Sequence, residues 1–160
     1  MAFTGSAMCA SFKAELMQCY HLFSTSANPA RTLNTTPDTF KFSLYDNTAT
    51  LTKTTTAYTA TGELASGSGY TTGGNTLTIS TAPTTDTTST NNVAYISFST
   101  TSWTSATFTA YGALIYNSSQ SNRAVAVLDF GGAKTVTSGT FTVTFPTYSS
   151  GTTAAIIQLQ

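Results

Sequence analysis

The sequence predicts a mainly β protein: an antiparallel β-sandwich or barrel-like fold with one N-terminal α-helix. Three observations predict it. Thr is the commonest residue in the chain, and Thr, Tyr and Phe suit a pleated, half-buried surface. Apolar residues alternate with polar ones in roughly six short segments separated by Gly, Ser, Asn and Thr, which is the pattern of strands. Only one segment, close to the N-terminus, repeats its apolar residues at helical steps.

That segment is "SAMCASFKAELMQCYHLF", Ser6–Phe23. Met8, Phe12, Leu16, Cys19, Tyr20 and Phe23 recur three and four apart. Ser6 or Ser11 is the expected cap, with Lys13, Glu15 and Gln18 off the apolar stripe. His21 falls near the helix end, where a cation is favoured, so its expected role is structural. Pro29 and Pro37 then mark a loop. In "TFKFSLYD", Phe40, Phe42 and Leu44 alternate with Lys41 and Ser43, as in a half-buried strand. The Thr- and Gly-rich stretch after it reads as a long ordered loop anchored by Tyr58, Leu64 and Tyr70, with room for a helical turn over Tyr58–Leu64. "NTLTIST" puts Leu77 and Ile79 on one face, "APTTDTTSTNN" is a polar turn, and "VAYISFS" alternates again. "WTSATFTAYGALIYN" is a long strand in which Gly112 signals a bulge or close backbone approach. "NSSQSN" turns the chain into "AVAVLDF"; "GGAKTVTS" reads as a second turn, and "GTFTVTFP" as a strand ended by Pro146. The expected core includes Phe40, Phe42, Leu44, Ile96, Phe108, Leu114, Val125, Val127, Phe141 and Val143.

A chain of 160 residues reads as one domain with core enough to fold without a metal or disulfide. Within it, residues 1–10 form an arm, 11–146 the helix and sandwich, and 147–160 a C-terminal tip. The tip ends in Ile156, Ile157 and Leu159, and an apolar terminus must either add a strand to its own fold or dock on a partner by strand addition.

Composition narrows the function. Charged residues make up 8% of the chain and six basic balance six acidic side chains. No basic face for nucleic acid is expected, and no apolar run approaches a membrane span. Met1–Ala10 lacks the basic start and long apolar core of a signal peptide, so the sequons at Asn34 and Asn117 carry little weight. Cys9 and Cys19 lie too far apart on a helix to pair with each other. They read as packed thiols or as inter-subunit cross-links formed in an oxidising medium. With His21 they make no zinc set, and no metal or cofactor is expected. The acids Glu15, Asp38, Asp46, Glu63, Asp86 and Asp129 stand singly, without the local pairing that would suggest glycosidase carboxylates. No nucleophile elbow or phosphate loop is present. "DFGGAK" is a strand end running into a glycine turn, with Asp129 bonding turn amides. The reading is a non-enzyme.

The run "WTSATFTAYGALIYNSSQSNRAVAVLDFGGAKTVTSGTFTVTFP" resembles a family of short tailed-bacteriophage virion proteins, as do "FKAELMQCYHLF", "TFKFSLYD" and "TTAYTATGELASGSGYTTGGNTLT". The likeness covers Phe12–Pro146, with "SANPARTLNTTP" longer than the family's usual link after the helix. It implies a structural protein of the phage particle, found on head or tail; the first reading is a capsid decoration or cement protein. The implied partners are the major capsid protein and further copies of the chain, as in a trimer at local threefold positions. The alternative is a tail-fibre or receptor-facing module in which exposed tyrosines and Trp103 stack on host sugars; a secreted carbohydrate-binding sandwich is a third reading. The expected contact residues are Tyr111, Tyr116 and Tyr148 on outward faces, with Ile156, Ile157 and Leu159 in the tip. Particle-specific attachment is expected in Met1–Cys9, Ser26–Pro37 and Ala154–Gln160.

Overall fold

The structure is a computed structural model that describes Phe3 and residues 5–24, 36–87, 92–148 and 155–159. It is mainly β, with two antiparallel sheets and one short helix near the N-terminus. The strands are β1 (Ala7–Met8), β2 (Phe40–Tyr45), β3 (Asn75–Thr76), β4 (Ile79–Asp86), β5 (Val93–Phe98), β6 (Thr101–Asn117), β7 (Arg123–Val143) and β8 (Ile157–Leu159); the helix α1 is Ala10–Met17. One sheet runs β1-β7-β6-β2-β3 and the other β4-β5-β8. They share a core in which Phe40 meets Phe98 at 5.9 Å between ring centroids, and Phe145 touches both Phe42 and Phe98.

The helix is shorter than its periodicity predicts. Ala7–Met8 is drawn instead into a ladder with Ala126 and Val127 of β7. At the other end Cys19 turns left-handed, φ 61°, and throws Cys19 and Tyr20 into solvent. Neither predicted cap operates: Cys9 is the N-cap, with no side-chain bond, and Ser6 Oγ instead accepts from the Asp129 amide at 3.0 Å. The stretch 1–10, expected as an arm, therefore contributes a strand and the buried side chains of Phe3 and Cys9.

A second departure is larger. "AVAVLDF" and "GTFTVTFP" are one strand of 21 residues, because "GGAKTVTS" is not a turn. Gly131 and Gly132, at φ 69° and 136°, absorb extra residues as a bulge between the pairs Gly112↔Asp129 and Ala110↔Lys134. Asp129 still bonds the turn amide of Gly131 at 2.8 Å, and the amide of Gly5 as well. The result is a long β6–β7 ribbon hinged at 118–122. Gly112 is the close approach its position suggests: a Cβ there would lie 2.5 Å from the Leu128 carbonyl and 2.4 Å from the Phe3 ring.

β2 is buried on both faces, not half-buried, since Ser43 and Tyr45 are as inaccessible as Phe42 and Leu44. The predicted polar turn "APTTD" is strand β4, and no helix forms over Tyr58–Leu64. Phe40, Phe42, Leu44, Ile96, Leu114, Val125 and Val127 are buried, while Phe108, Phe141 and Val143 are half-buried against them.

Of the two fates open to the C-terminal tip, the structure shows the first. β8 pairs with β5 in the register Ala94↔Leu159 and Ile96↔Ile157. Ile157 is buried and Leu159 is 45% exposed. Deleting Ala155–Gln160 is therefore expected to destabilise the isolated chain. Loss of one buried Ile costs about 2 to 3 kcal/mol, so the melting temperature should fall by several degrees. A calorimetric scan showing no change would place the tip's contribution elsewhere.

Candidate functional site

Two carboxylates, half-buried Glu63 and buried Glu15, organise the irregular parts of the chain. Glu63 sits in the long loop between β2 and β3. Tyr58 and Tyr70 both donate hydroxyl hydrogen bonds to it, Tyr70 at 2.6 Å, and the Gly73 amide donates at 2.6 Å. Tyr70 Oη in turn accepts from the Leu44 amide at 3.0 Å, and Tyr116 donates to the Gly73 carbonyl at 2.8 Å. Tyr58 stacks on Tyr116 at 4.7 Å. A loop with no regular ladder of its own is thus fastened to β2 and β6 through one carboxylate and its tyrosines.

These hydroxyls resist ionisation. Burial pushes Tyr116 up to about 12, with the Glu63 charge adding to it. Burial first, then the bond to Glu63, raises Tyr58 and Tyr70; burial also raises Tyr45. A group raised in the folded state stabilises the fold fully below its unfolded value, and that contribution fades as pH climbs. Stability is expected to decline above pH 10, the ordinary tyrosine value, because the unfolded chain releases protons that the folded chain retains. An ultraviolet absorbance titration should show these four tyrosines ionising only above their ordinary value of 10. Uniform titration of all eight at pH 10 in the folded chain would contradict the cluster.

The second carboxylate is Glu15, expected on the outer side of the helix and instead buried. It accepts from Arg123 Nη1 at 2.7 Å and from His21 Nε2 at 2.8 Å. His21 Nδ1 accepts from Asn117 Nδ2 at 3.0 Å, and the same amide donates to Asp38 Oδ2 at 2.8 Å. Asp38 also takes the Leu22 amide at 2.9 Å. The Arg123 guanidinium lies 4.3 Å from the centre of the Tyr20 ring. Burial depresses the His21 pKa, outweighing the opposing pull of Glu15 and Asp38. His21 lies beyond the helix, which ends at Met17, and burial disfavours the helix-end cation its position suggests; both ring nitrogens are instead spent within the cluster, which ties α1 to the β6–β7 turn. Burial of Asn117 likewise closes that sequon; Asn34 lies outside the described residues.

The predicted contact residues divide between the two sheets. Tyr116 is buried, which removes it from the outward set, and Tyr111 is half-buried against the core. Both belong to β6. Tyr148 stacks on Tyr95 at 4.0 Å and donates to Asp86 at 2.7 Å, beside β5. Ile157 and Leu159 enter the same neighbourhood and line a groove of about 380 Å³ with Leu16, Phe23, Tyr95 and Ile96. Ile156 is half-buried next to them. Among the described residues, Met17 at 81%, Tyr20 at 41% and Leu159 are the large apolar side chains left exposed. Cys9 is buried and its thiol is pushed up to about 12, chiefly by burial. It cannot serve as an inter-subunit thiol without local unfolding, because the thiolate is the reactive form. Cys19 is exposed. Of the expected attachment segments, most of Ser26–Pro37 lies outside the described residues, as do Met1, Ala2, Thr4, Ala154 and Gln160.

Sequence reasoning missed Glu15 and Glu63. A signal existed: in a chain with six acids, one placed among Tyr58 and Tyr70 and one beside an apolar helical stripe invite the question of a partner. What the arrangement supplies chemically is fastening, since both carboxylate oxygens of Glu15 and of Glu63 and both ring nitrogens of His21 are engaged by protein. Comparison with known protein families, curated proteins and solved structures found no match.

Proposed function

We propose that the chain is a bacteriophage virion structural protein, a capsid decoration or cement protein that binds at junctions between major capsid proteins and stabilises the head. The observation that supports this most is where the phage-like motifs fall. "WTSATFTAYGALIYN" forms nearly all of β6, and "AVAVLDFGGAKTVTSGTFTV" nearly all of β7. These motifs build one long two-stranded ribbon, and no pocket or reactive group has to be invoked to explain them. One side of the ribbon presents Thr104, Thr107, Thr140 and Thr142 to solvent. A hydroxyl-rich, nearly uncharged surface of this kind can lie against another protein without stranding buried charges. At about 25 cal/mol per Å² of apolar area, modest contacts repeated over many copies suffice to oppose expansion of a shell.

The tail-fibre alternative needs exposed tyrosines and Trp103 as sugar-stacking residues. Trp103 is only 4% exposed and packs among Phe42, Tyr70 and Phe141, so it has no face for a glycan. The deciding experiment is electron microscopy of intact particles carrying a labelled copy. Label distributed over the head is the expected result. Label confined to the tail, or absent from particles, would overturn the proposal.

A further inference from the structure

The outer edge of β7 is unpaired over a long distance. From Lys134 to Val143 the strand pairs with β6 on one side. Among the described residues, no backbone hydrogen bond joins its other side to any segment; β1 covers only Ala126 and Val127. Ten residues of free edge amount to about 33 Å of open donors and acceptors. Beside this edge lies a cavity of about 350 Å³ lined by Phe130, Lys134, Phe141, Thr142, Val143 and Thr144.

We propose that this edge pairs with the same edge of a second copy, joining two chains through a continuous antiparallel sheet. The argument for a second copy is that the edge is nearly its own mirror. Outward from Ser138–Gly139, the sequence runs Thr137 and Thr140, Val136 and Phe141, Thr135 and Thr142, then Lys134 and Val143. Val136 and Phe141 are half-buried on the core side, whereas the four threonines are exposed on the other. The bulge at Ser138, φ 48°, lets two residues five apart share a face. A two-fold axis normal to the sheet near that bulge sets like faces side by side. Val136 of each copy then approaches Phe141 of the other, and threonines face threonines, both of them favourable cross-strand pairs.

Charge permits the same arrangement. Lys134 is the only charged side chain on the edge, and antiparallel pairing holds the two lysines about 30 Å apart, well beyond a Debye length of roughly 8 Å. An edge with a single charge at one end has little means of selecting a charged peptide. Because both copies use the same edge, pairing consumes it and cannot propagate into a fibre. This inference does not depend on the virion reading, since it concerns the purified chain.

The test is sedimentation of the full chain across a dilution series, under reducing conditions so that Cys19 cannot cross-link. Amide hydrogen exchange of the peptide covering 134–143 is followed over the same series. The expected result is a two-chain mass that dissociates on dilution, with protection of 134–143 rising with concentration while 112–117 stays protected throughout. The double variant Thr140→Lys, Thr142→Lys should remain a single chain and keep the melting temperature that the unaltered chain shows when diluted to a single chain. A one-chain mass at every concentration would overturn the proposal. So would a dimer whose 134–143 amides stay unprotected, a three-chain particle, or undiminished pairing of the lysine variant. Should that variant fail to fold, the concentration dependence of exchange in the unaltered chain decides alone.

Discussion

Val127→Asp is expected to bring the chain close to unfolding. Val127 is 1% exposed, on β7 between Leu114 of β6 and Ala7 of β1. The backbone donors nearby belong to those ladders, so an introduced carboxylate finds no hydrogen bond and no cation. Burying an unpaired carboxyl group costs several kcal/mol even after it takes up a proton. A chain of this kind holds about 5 to 15 kcal/mol in total. Urea titration should give a midpoint lowered by most of its range or no cooperative transition at all. An unchanged midpoint would show that Val127 is not in the core. The exposed Thr142→Asp, by contrast, should alter the stability of the single chain by no more than about 0.5 kcal/mol.

Gly74→Ala is the second large effect. Gly74 has φ 68°, where L side chains are strained, and an added Cβ would stand 1.9 Å from the Phe42 carbonyl oxygen and 2.5 Å from its carbon. These are backbone atoms held by the pairing of Phe42 with Asn75 and with Ile115, so they cannot give way. Relief requires pulling residues 71–76 off β2, which would also disturb the Gly73 contacts to Glu63 and Tyr116. A loss of about 3 kcal/mol or more is expected, measured by thermal unfolding. A variant as stable as the parent would mean that the close approach of Gly74 to β2 is wrong.

Much of the fold was legible because strand periodicity is a local property. Phe40, Phe42 and Leu44 alternate, and so they lie on one face. What alternation cannot report is whether the opposite face is covered; Ser43 and Tyr45 are buried because a loop twenty residues further on folds over them. The join between "AVAVLDF" and "GTFTVTFP" was misread for a related reason. Gly131 and Gly132 supply the positive φ that either a turn or a bulge requires, and only the partner strand decides between them. The helical stripe overran its helix because Met8 and Cys19 are apolar for different purposes, one in a strand and one in a left-handed exit. In the candidate contact region, Ile157 and Leu159 were visible as apolar residues near a terminus. Tyr116 was misassigned because tyrosine serves interfaces and cores equally well, and its partner, the Gly73 carbonyl, lies in a distant loop.

The separation between β2 and β6 has a consequence during synthesis. Ser43 and Leu114 meet across 71 residues, whereas β6 and β7 are joined by a short turn and can zip together as soon as both exist. On a ribosome adding roughly 5 to 20 residues per second, β2 waits about 4 to 14 seconds for its central partner. During that interval β2 can take up β3 and the loop before it, but the edge that β6 will occupy stays open to wrong partners on neighbouring chains. The vulnerable moment in the life of this protein therefore precedes its folded state, and it closes when β6 has left the exit tunnel.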